Sequence, residues 1–269
     1  MIMLETAPIP RPGAPPLLQT CAAETFARLM HGAFQQRFPA GVRLVSEGER
    51  CDFLHVLLEG AVELESAWRD HRSTFAVLRP PSTFALAAVV LDVPALMSAQ
   101  TLSRSEVMMI PSLALRQAAR TDGALACAIA EELAACECGV VRALQIQKLH
   151  SALERVANYL ISQQHHQGGS AAFRLPYPKR LLASLLGMTP ENLSRSFASL
   201  ARYGVTVDGP RVTLGQPGAL ARLAGLQAPL GDPATRADRA SMPGVGDRRG
   251  RAPAPRRAAT RFPERKPKP

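Results

Sequence analysis

Three polar side chains in one short segment have the types and spacing needed to contact DNA bases. Glu191, Ser194 and Arg195 lie at i, i+3 and i+4, so a helix would align a carboxylate, a hydroxyl and a guanidinium in one strip. On the same helical wheel, the opposite side is apolar and consists of Leu193, Phe197 and Leu200. Arg can donate to guanine O6 and N7, and Glu can accept from the cytosine amine in the major groove. The strip therefore predicts a DNA-reading helix.

The surrounding residues predict two helices, a tight turn and a β-hairpin. Thr189 suits an N-cap, Pro190 suits the first helical position, and Gly187 suits the turn that follows an earlier leucine-rich helix. Residues 205–214 then predict a hairpin, or wing, with a basic tip. The predicted DNA contacts are Thr189, Glu191, Asn192, Ser194, Arg195, Lys179, Arg180 and Arg211. An ordinary amphipathic surface pair is the alternative, but the order of cap, turn, strip and hairpin favours DNA binding.

The segment G-M-T-P-E-N-L-S-R-S-F-A-S-L, with its wing, resembles the winged helix-turn-helix of the CRP/FNR family of bacterial transcription regulators. Glu191, Ser194 and Arg195 match the family's E-x-x-S-R pattern, and Pro190 stands where the CRP branch has an arginine. The recognition helix is therefore closer to the FNR branch. The resemblance implies a homodimer that binds double-stranded DNA at a palindrome with TTGAT-like half-sites. It also implies RNA polymerase as a partner and leaves open whether transcription is activated or repressed.

The N-terminal half has short β-rich runs separated by glycine turns, which predict an antiparallel barrel or roll. These runs span residues 42–45, 53–58, 61–65, 73–78, 99–102 and 106–110. The order F-P-A-G-x-x-L-x-x-E-G-E-x-x-D-F-L-x-V-L-L-E-G-x-V resembles the cyclic-nucleotide-binding β-roll of the same family. The expected fold is α+β, divided into a disordered arm at 1–20, a sensor roll at 21–120, a dimerisation helix at 121–150, a winged domain at 151–228 and a disordered basic tail at 229–269.

The expected effector pocket departs from the family pattern. Nucleotide-binding members supply a Glu for the ribose hydroxyl and an Arg for the cyclic phosphate. Here Leu86 or Ala87 falls at the Glu position, and Met97 precedes Ser98 where the Arg should stand. A buried phosphate without a cation and a ribose without an acceptor would both be left with an uncompensated desolvation cost. We therefore expect a pocket that has lost cyclic nucleotide and is either empty or suited to an apolar ligand.

Residues 123–149 repeat apolar side chains at steps of three and four, the pattern of a helix that pairs with a partner. The predicted seam consists of Leu125, Ile129, Leu133, Cys136, Val140 and Leu144. In the resembling family this helix forms the homodimer contact. The alternative is a helix that packs only on its own domain.

No cofactor is predicted, although two sensor chemistries stay open. Cys136 lies on the seam, so a disulfide across a dimer or a thiol switch is an alternative to an ordinary buried cysteine. Only Cys21 lies near the N-terminal cysteine group that an FNR-type iron–sulfur cluster requires, which argues against such a cluster. His31, His55 and His71 could ligate haem, but no haem-attachment motif is present. The rival function is therefore a haem- or small-ligand-binding module that signals through protein contacts with a vestigial helix-turn-helix.

Charge and composition add little to the DNA-binding hypothesis. The chain carries a net charge of +10, and residues 231–269 hold eleven Arg or Lys against four acids, so this segment supplies +7. Its Pro-, Arg- and Ala-rich composition predicts disorder, and it could add sequence-independent attraction to phosphates. Five cysteines without a disulfide framework suggest a reducing cytoplasm, and no apolar run is long enough for a membrane span. No catalytic motif supports an enzyme.

Overall fold

The computed structural model describes residues 15–69 and 71–225. The predicted tail at 229–269 and the first fourteen residues of the predicted arm lie outside this range. The rest of the arm is folded: Pro16–Leu18 forms a 3-10 turn, with Leu17 and Leu18 buried in the core. The expectation of disorder was therefore wrong for residues 15–20. It was based on the high proline content and gave no weight to the two leucines, which pack against the N-terminal domain.

In the part of the N-terminal domain that the structure describes, eight strands form two antiparallel four-stranded sheets, which confirms the predicted β-roll. The strands are β1 (Phe34–Phe38), β2 (Arg43–Val45), β3 (Phe53–Glu59), β4 (Val62–Trp68), β5 (His71–Leu78), β6 (Ser82–Phe84), β7 (Ser98–Thr101) and β8 (Ser105–Pro111). One sheet has the order β1-β8-β3-β6 and the other β2-β7-β4-β5. The sequence interpretation missed β1 and β6.

Three short helices accompany the sheets: α1 (Ala23–Gly32), α2 (Leu86–Leu91) and α3 (Ser112–Thr121). The core lies between the sheets and these helices. Leu54 and Leu57 of β3, Ile110 of β8 and Leu115 of α3 are all fully buried in it. Full burial of each such side chain contributes roughly 1.5–3 kcal/mol to folding. The roll is therefore held by its own apolar interior.

Helix α4 (Gly123–Leu149) has the predicted bounds and is the longest helix of the described residues. Asp122 caps it, since its carboxylate accepts from the backbone N–H of Leu125 at 3.0 Å. The same carboxylate accepts from the N–H of Ala22 at 2.8 Å, which joins the start of α1 to the start of α4. At 1.5 Å per residue, α4 is about 40 Å long. No helix of the described residues is long and apolar enough to cross a membrane.

A second core lies C-terminal to α4. It is built from α5 (Ala152–His166), β9 (Ala172–Arg174), α6 (Lys179–Leu185), α7 (Pro190–Leu200), β10 (Val205–Asp208), β11 (Arg211–Leu214) and α8 (Pro217–Ala224). A capping box begins α5: Ser151 and Glu154 each accept a hydrogen bond from the other's backbone N–H. The predicted wing hairpin is the β10–β11 pair, and β9 extends it into a three-stranded sheet. Sequence patterns did not predict β9 or α8.

Candidate nucleic-acid interface

A glycine turn sets the angle between α6 and α7. Gly187 has a φ of +62°, and its N–H donates to the carbonyl of Ser184 at 3.0 Å, which ends α6 in the left-handed conformation that glycine favours. Thr189 then caps α7, because its hydroxyl accepts from the N–H of Asn192 at 3.3 Å. Pro190 occupies the first position of α7. The start of this helix is therefore the one that the sequence predicts.

Helix α7 has one buried side and one exposed side. Leu193 and Leu200 are fully buried, and Phe197 is 7% exposed in the second core. Glu191 and Arg195 are exposed on the opposite side. Ser194 of the predicted strip is exposed as well, and so are Asn192 and Thr189, two further predicted contacts beside it. The fold thus brings the predicted carboxylate, hydroxyl and guanidinium together on one open surface, which we call the α7 strip.

Hydrogen bonds within the α7 strip orient two of its polar groups. The Ser194 hydroxyl donates to the carbonyl of Pro190 at 3.0 Å. Nη2 of Arg195 donates to Oδ1 of Asn192 at 2.7 Å. Hydrogen bonds from its own backbone N–H and from the Thr189 hydroxyl lower the pKa of Glu191, with a smaller contribution from the charge of Arg195. The Glu191 carboxylate is therefore an acceptor only, as contact with a cytosine amine requires.

The remaining predicted contacts flank the α7 strip in the chain. Lys179 and Arg180 are exposed at the start of α6, and Nζ of Lys179 lies 5.9 Å from the centre of the Phe197 ring. Arg211 is exposed at the tip of the wing, opposite Asp208 across the β10–β11 pair. Lys and Arg side chains can also donate to phosphate oxygens, which fixes the position of a protein on DNA without reading its sequence.

The predicted effector pocket residues occupy different environments. Leu86 is buried in the N-terminal core, Ala87 is exposed, and Met97 is half-buried. Ser98 is 5% exposed, and its hydroxyl accepts from Nη1 of Arg43 and from the backbone N–H of Glu47, both at 3.0 Å.

Sequence reasoning missed Arg43 as a cation near Ser98. It lies on β2, more than fifty residues earlier in the chain, and reaches Ser98 because β2 pairs with β7. Its Nη2 also lies 2.7 Å from Oε1 of Glu65, which Nη1 of Arg72 approaches to 3.3 Å. The Arg43 charge is therefore already paired with a buried carboxylate. No local sequence signal indicates this pairing, because it depends on strand register.

The predicted seam on α4 divides into a buried and an exposed part. Leu125 is fully buried and Ile129 is 5% exposed, because both pack into the core of their own N-terminal domain. Their assignment to a dimer interface is corrected accordingly. Leu133 is partly buried against the same core, whereas Cys136, Val140 and Leu144 are exposed. The sequence interpretation also missed Val141 and Leu149, which add to the exposed apolar surface of this half of α4.

The candidate sensor residues are dispersed among the described residues. Cys21 and Cys51 are buried, Cys127, Cys136 and Cys138 are exposed, and no disulfide joins any of these five described residues. His31 and His71 are exposed, whereas His55 is buried and stacks on Phe84 with ring centroids 5.0 Å apart. Burial lowers the pKa of His55 to about 4. Within residues 15–69 and 71–225, no group of three or more His, Cys, Asp or Glu side chains could hold a metal ion.

Two family models match the chain. A cyclic nucleotide-binding domain matches residues 35–122, and a Crp-like helix-turn-helix domain matches residues 154–223. Together the two models account for more than half of the chain. No curated protein gives a significant match.

Solved structures of several bacterial regulators share the fold. FixK2 from Bradyrhizobium japonicum is 21% identical with a TM-score of 0.64, over 73% of this chain and 99% of that chain. A putative cAMP-binding regulatory protein from Silicibacter pomeroyi DSS-3 is 26% identical with a TM-score of 0.52, over 77% and 94%. A CooA mutant from Carboxydothermus hydrogenoformans is 14% identical with a TM-score of 0.63, over 72% and 89%.

Proposed function

Since the chain belongs to the CRP/FNR family of bacterial transcription regulators, we propose that it binds a palindromic DNA operator as a homodimer and regulates transcription there. The observation that carries this proposal is the α7 strip. It leaves Glu191 and Arg195 exposed on a helix whose other side is buried, so both side chains can enter a major groove while the domain stays folded.

The polar groups of the α7 strip favour a TTGAT-like half-site. Arg195 pairs with the guanine, and Glu191 accepts from the cytosine opposite or its neighbour. Pro190 leaves α7 without the additional arginine of the CRP branch, so a TGTGA half-site is the poorer ligand. The cations of the wing and of α6 contact phosphates and add affinity for any sequence.

The exposed half of α4 supports the dimer. Val140 is 62% exposed and Leu144 is 52% exposed, although both side chains are apolar. Side chains of this kind on one stretch of helix are typical of a protein–protein contact. Two-fold pairing of α4 would place two copies of α7 about one helical turn of DNA apart, as a palindrome requires.

The environment of Ser98 supports an effector other than a cyclic nucleotide. The Ser98 hydroxyl and the Arg43 guanidinium are already engaged with each other, and Glu65 neutralises that guanidinium. Leu86, at one of the two candidate ribose positions, is buried in the core and offers no acceptor. We therefore propose that the N-terminal domain responds to a different ligand or to none.

We also propose, from the family membership, that RNA polymerase is the protein partner at the promoter.

Selection from a random oligonucleotide pool tests the DNA-binding function. The full chain should enrich a palindrome with TTGAT-like half-sites, and Arg195→Ala should lose preference at one base pair of each half-site. Arg120→Ala is the matched control, because it removes one exposed positive charge from α3 in the N-terminal domain. Recovery of no palindrome, or of one that is unchanged in Arg195→Ala, would instead favour a ligand-binding module that acts through protein contacts.

A further inference from the structure

One arginine joins α4 to the helix-turn-helix. Arg155, in the first turn of α5, donates from Nη1 to the carbonyl of His150 at 3.1 Å and to that of Gln147 at 3.4 Å. Its Nη2 donates to the carbonyl of Gly187 at 3.3 Å. A single guanidinium therefore contacts the end of α4, the connection to α5 and the turn between α6 and α7. We call this set of contacts the Arg155 clamp.

The three acceptors of the Arg155 clamp are groups that need a partner. Gln147 lies in the last turn of α4, where carbonyls have no partner within the helix and where a positive charge is favoured by the helix dipole. Gly187 supplies the carbonyl of the turn that sets the angle of α7. The planar guanidinium presents several donors in a fixed geometry, so one side chain can serve all three carbonyls.

The side chain of Gln147, at the end of α4, lies close to Gly187. A Cβ built on Gly187 would lie 2.4 Å from Nε2 and 2.6 Å from Oε1 of Gln147. The turn of the helix-turn-helix therefore lies directly against the last residues of α4. Only His150 and Ser151 separate α4 from α5, so little chain is available to absorb a rotation at this junction.

From these contacts we infer that Arg155 is a positioning residue that sets the spacing between the two half-sites that a dimer binds. In the dimer, α4 defines the two-fold axis, and the second core holds α7 in place. The Arg155 clamp sets the position of α7 relative to α4, and so the distance between the two copies of α7. Arg155 itself does not contact DNA in this mechanism. The inference rests on the proposed function, since it presupposes a dimer that binds a palindrome.

The test uses a panel of palindromes with identical half-sites and spacers that change by one base pair at a time. The wild-type full chain should bind one spacer best. Arg155→Ala should lose roughly tenfold in affinity for that spacer, equivalent to about 1.4 kcal/mol. The variant should then bind palindromes with the neighbouring spacers nearly as tightly as it binds that one. Its base preference within a single half-site should stay that of the wild type. Arg120→Ala again controls for the removed charge.

Arg155→Lys separates positioning from folding. Lysine keeps the positive charge, but its point-like ammonium cannot reproduce the planar fork. We expect a thermal unfolding midpoint near that of the wild type and the same flattened spacer preference. An unchanged spacer preference in Arg155→Lys and Arg155→Ala would overturn the inference, as would a loss of half-site base preference in a folded variant. If the wild type binds no palindrome at all, the proposed function fails instead, which is a distinguishable result.

Discussion

The guanidinium of Arg195 donates to the side-chain oxygen of Asn192, 2.7 Å away and one turn earlier on α7. This bond directs an exposed and otherwise mobile side chain along the α7 strip before any ligand is present. A side chain that is already oriented loses less conformational entropy when it binds. Asn192 also takes part in the N-cap of α7, because its backbone N–H donates to the Thr189 hydroxyl. The same residue therefore helps to begin the helix and to orient Arg195.

Replacement of Arg195 should affect one base pair of each half-site. We expect Arg195→Ala to cost about 1–3 kcal/mol per half-site and to relax the preference at that position only, because the bidentate pairing with guanine is removed. Titration of the selected operator and of its single-base variants measures both effects. A uniform weakening across all variants would assign Arg195 to phosphate binding rather than base readout.

Replacement of Arg211 should have the opposite pattern. This side chain is exposed at the wing tip, and we propose that it binds phosphate. Arg211→Ala should weaken all sequences alike and should reduce the slope of log K against log salt by about one for each phosphate that is no longer neutralised. Binding measured over a series of salt concentrations gives the slope. A change in base preference would show that the wing reads sequence.

Charge on the exposed half of α4 should produce monomers. Val140→Glu with Leu144→Glu should prevent pairing, because two carboxylates per chain would be desolvated in an apolar interface. Cys138→Glu is the control, since Cys138 is also exposed but lies nearly opposite Val140 around the helix. Sedimentation should give a monomer for the double variant and a dimer for the control. A dimeric double variant would place the interface elsewhere.

Charge at Ile129 should have a different effect from charge at Val140. Ile129 is 5% exposed within the N-terminal core, so Ile129→Glu should lower the thermal unfolding midpoint of the chain itself. The comparison of unfolding midpoints separates the buried part of the predicted seam from the exposed part. Equal midpoints for Ile129→Glu and the wild type would contradict the observed packing.

Cyclic AMP and cyclic GMP should not bind at physiological concentration. The guanidinium of Arg43 is bonded to the buried Ser98 hydroxyl and its charge is paired with Glu65, so this cation is already neutralised without a phosphate. Isothermal titration calorimetry should give no saturable heat with either nucleotide. A micromolar dissociation constant would mean that Arg43 leaves Glu65 to bind the ligand, and Arg43→Ala should then abolish the heat.

Stability in acid should depend on Asp122. Its burial raises the pKa, but hydrogen bonds from the N–H groups of Leu125 and Ala22 outweigh that effect, and the net pKa is lowered. The stabilisation is therefore complete above the ordinary Asp pKa of about 3.9 and is lost as the pH falls through the lower pKa of the folded chain. Asp122→Ala should lose roughly 0.5–2 kcal/mol near neutral pH.

Urea unfolding at a series of pH values measures this contribution. The wild-type and Asp122→Ala stabilities should converge as the pH falls. Asp122→Asn keeps a capping oxygen but does not titrate, so its difference from Asp122→Ala should be independent of pH. A wild-type advantage that persists in strong acid would show that the carboxylate charge is not what stabilises the cap.

The sequence correctly predicted the helices that have clear capping residues or regularly spaced apolar residues. Thr189 and Pro190 defined the start of α7, and residues 123–149 had the correct bounds for α4. Strand β1 was missed because its residues are mostly exposed and its pairing partner, β8, lies about seventy residues later. The position of Arg43 beside Ser98 was not predicted either, because the two residues are far apart in the sequence and come together only through strand pairing. Periodicity likewise could not show that Ile129 packs within its own domain, because the spacing of apolar residues does not identify the surface that covers them.

The exposed half of α4 has one further consequence. Val140 and Leu149 are 62% and 76% exposed, so this segment gains little from packing within its own chain. An isolated helix of about a dozen residues is only marginally stable in water. In a homodimer, ordering of these last turns and association would form one equilibrium, governed by mass action. Dilution would then fray the helix end that supplies the Gln147 carbonyl, so the amount of regulator in the cell would set the stiffness of the junction between α4 and α5.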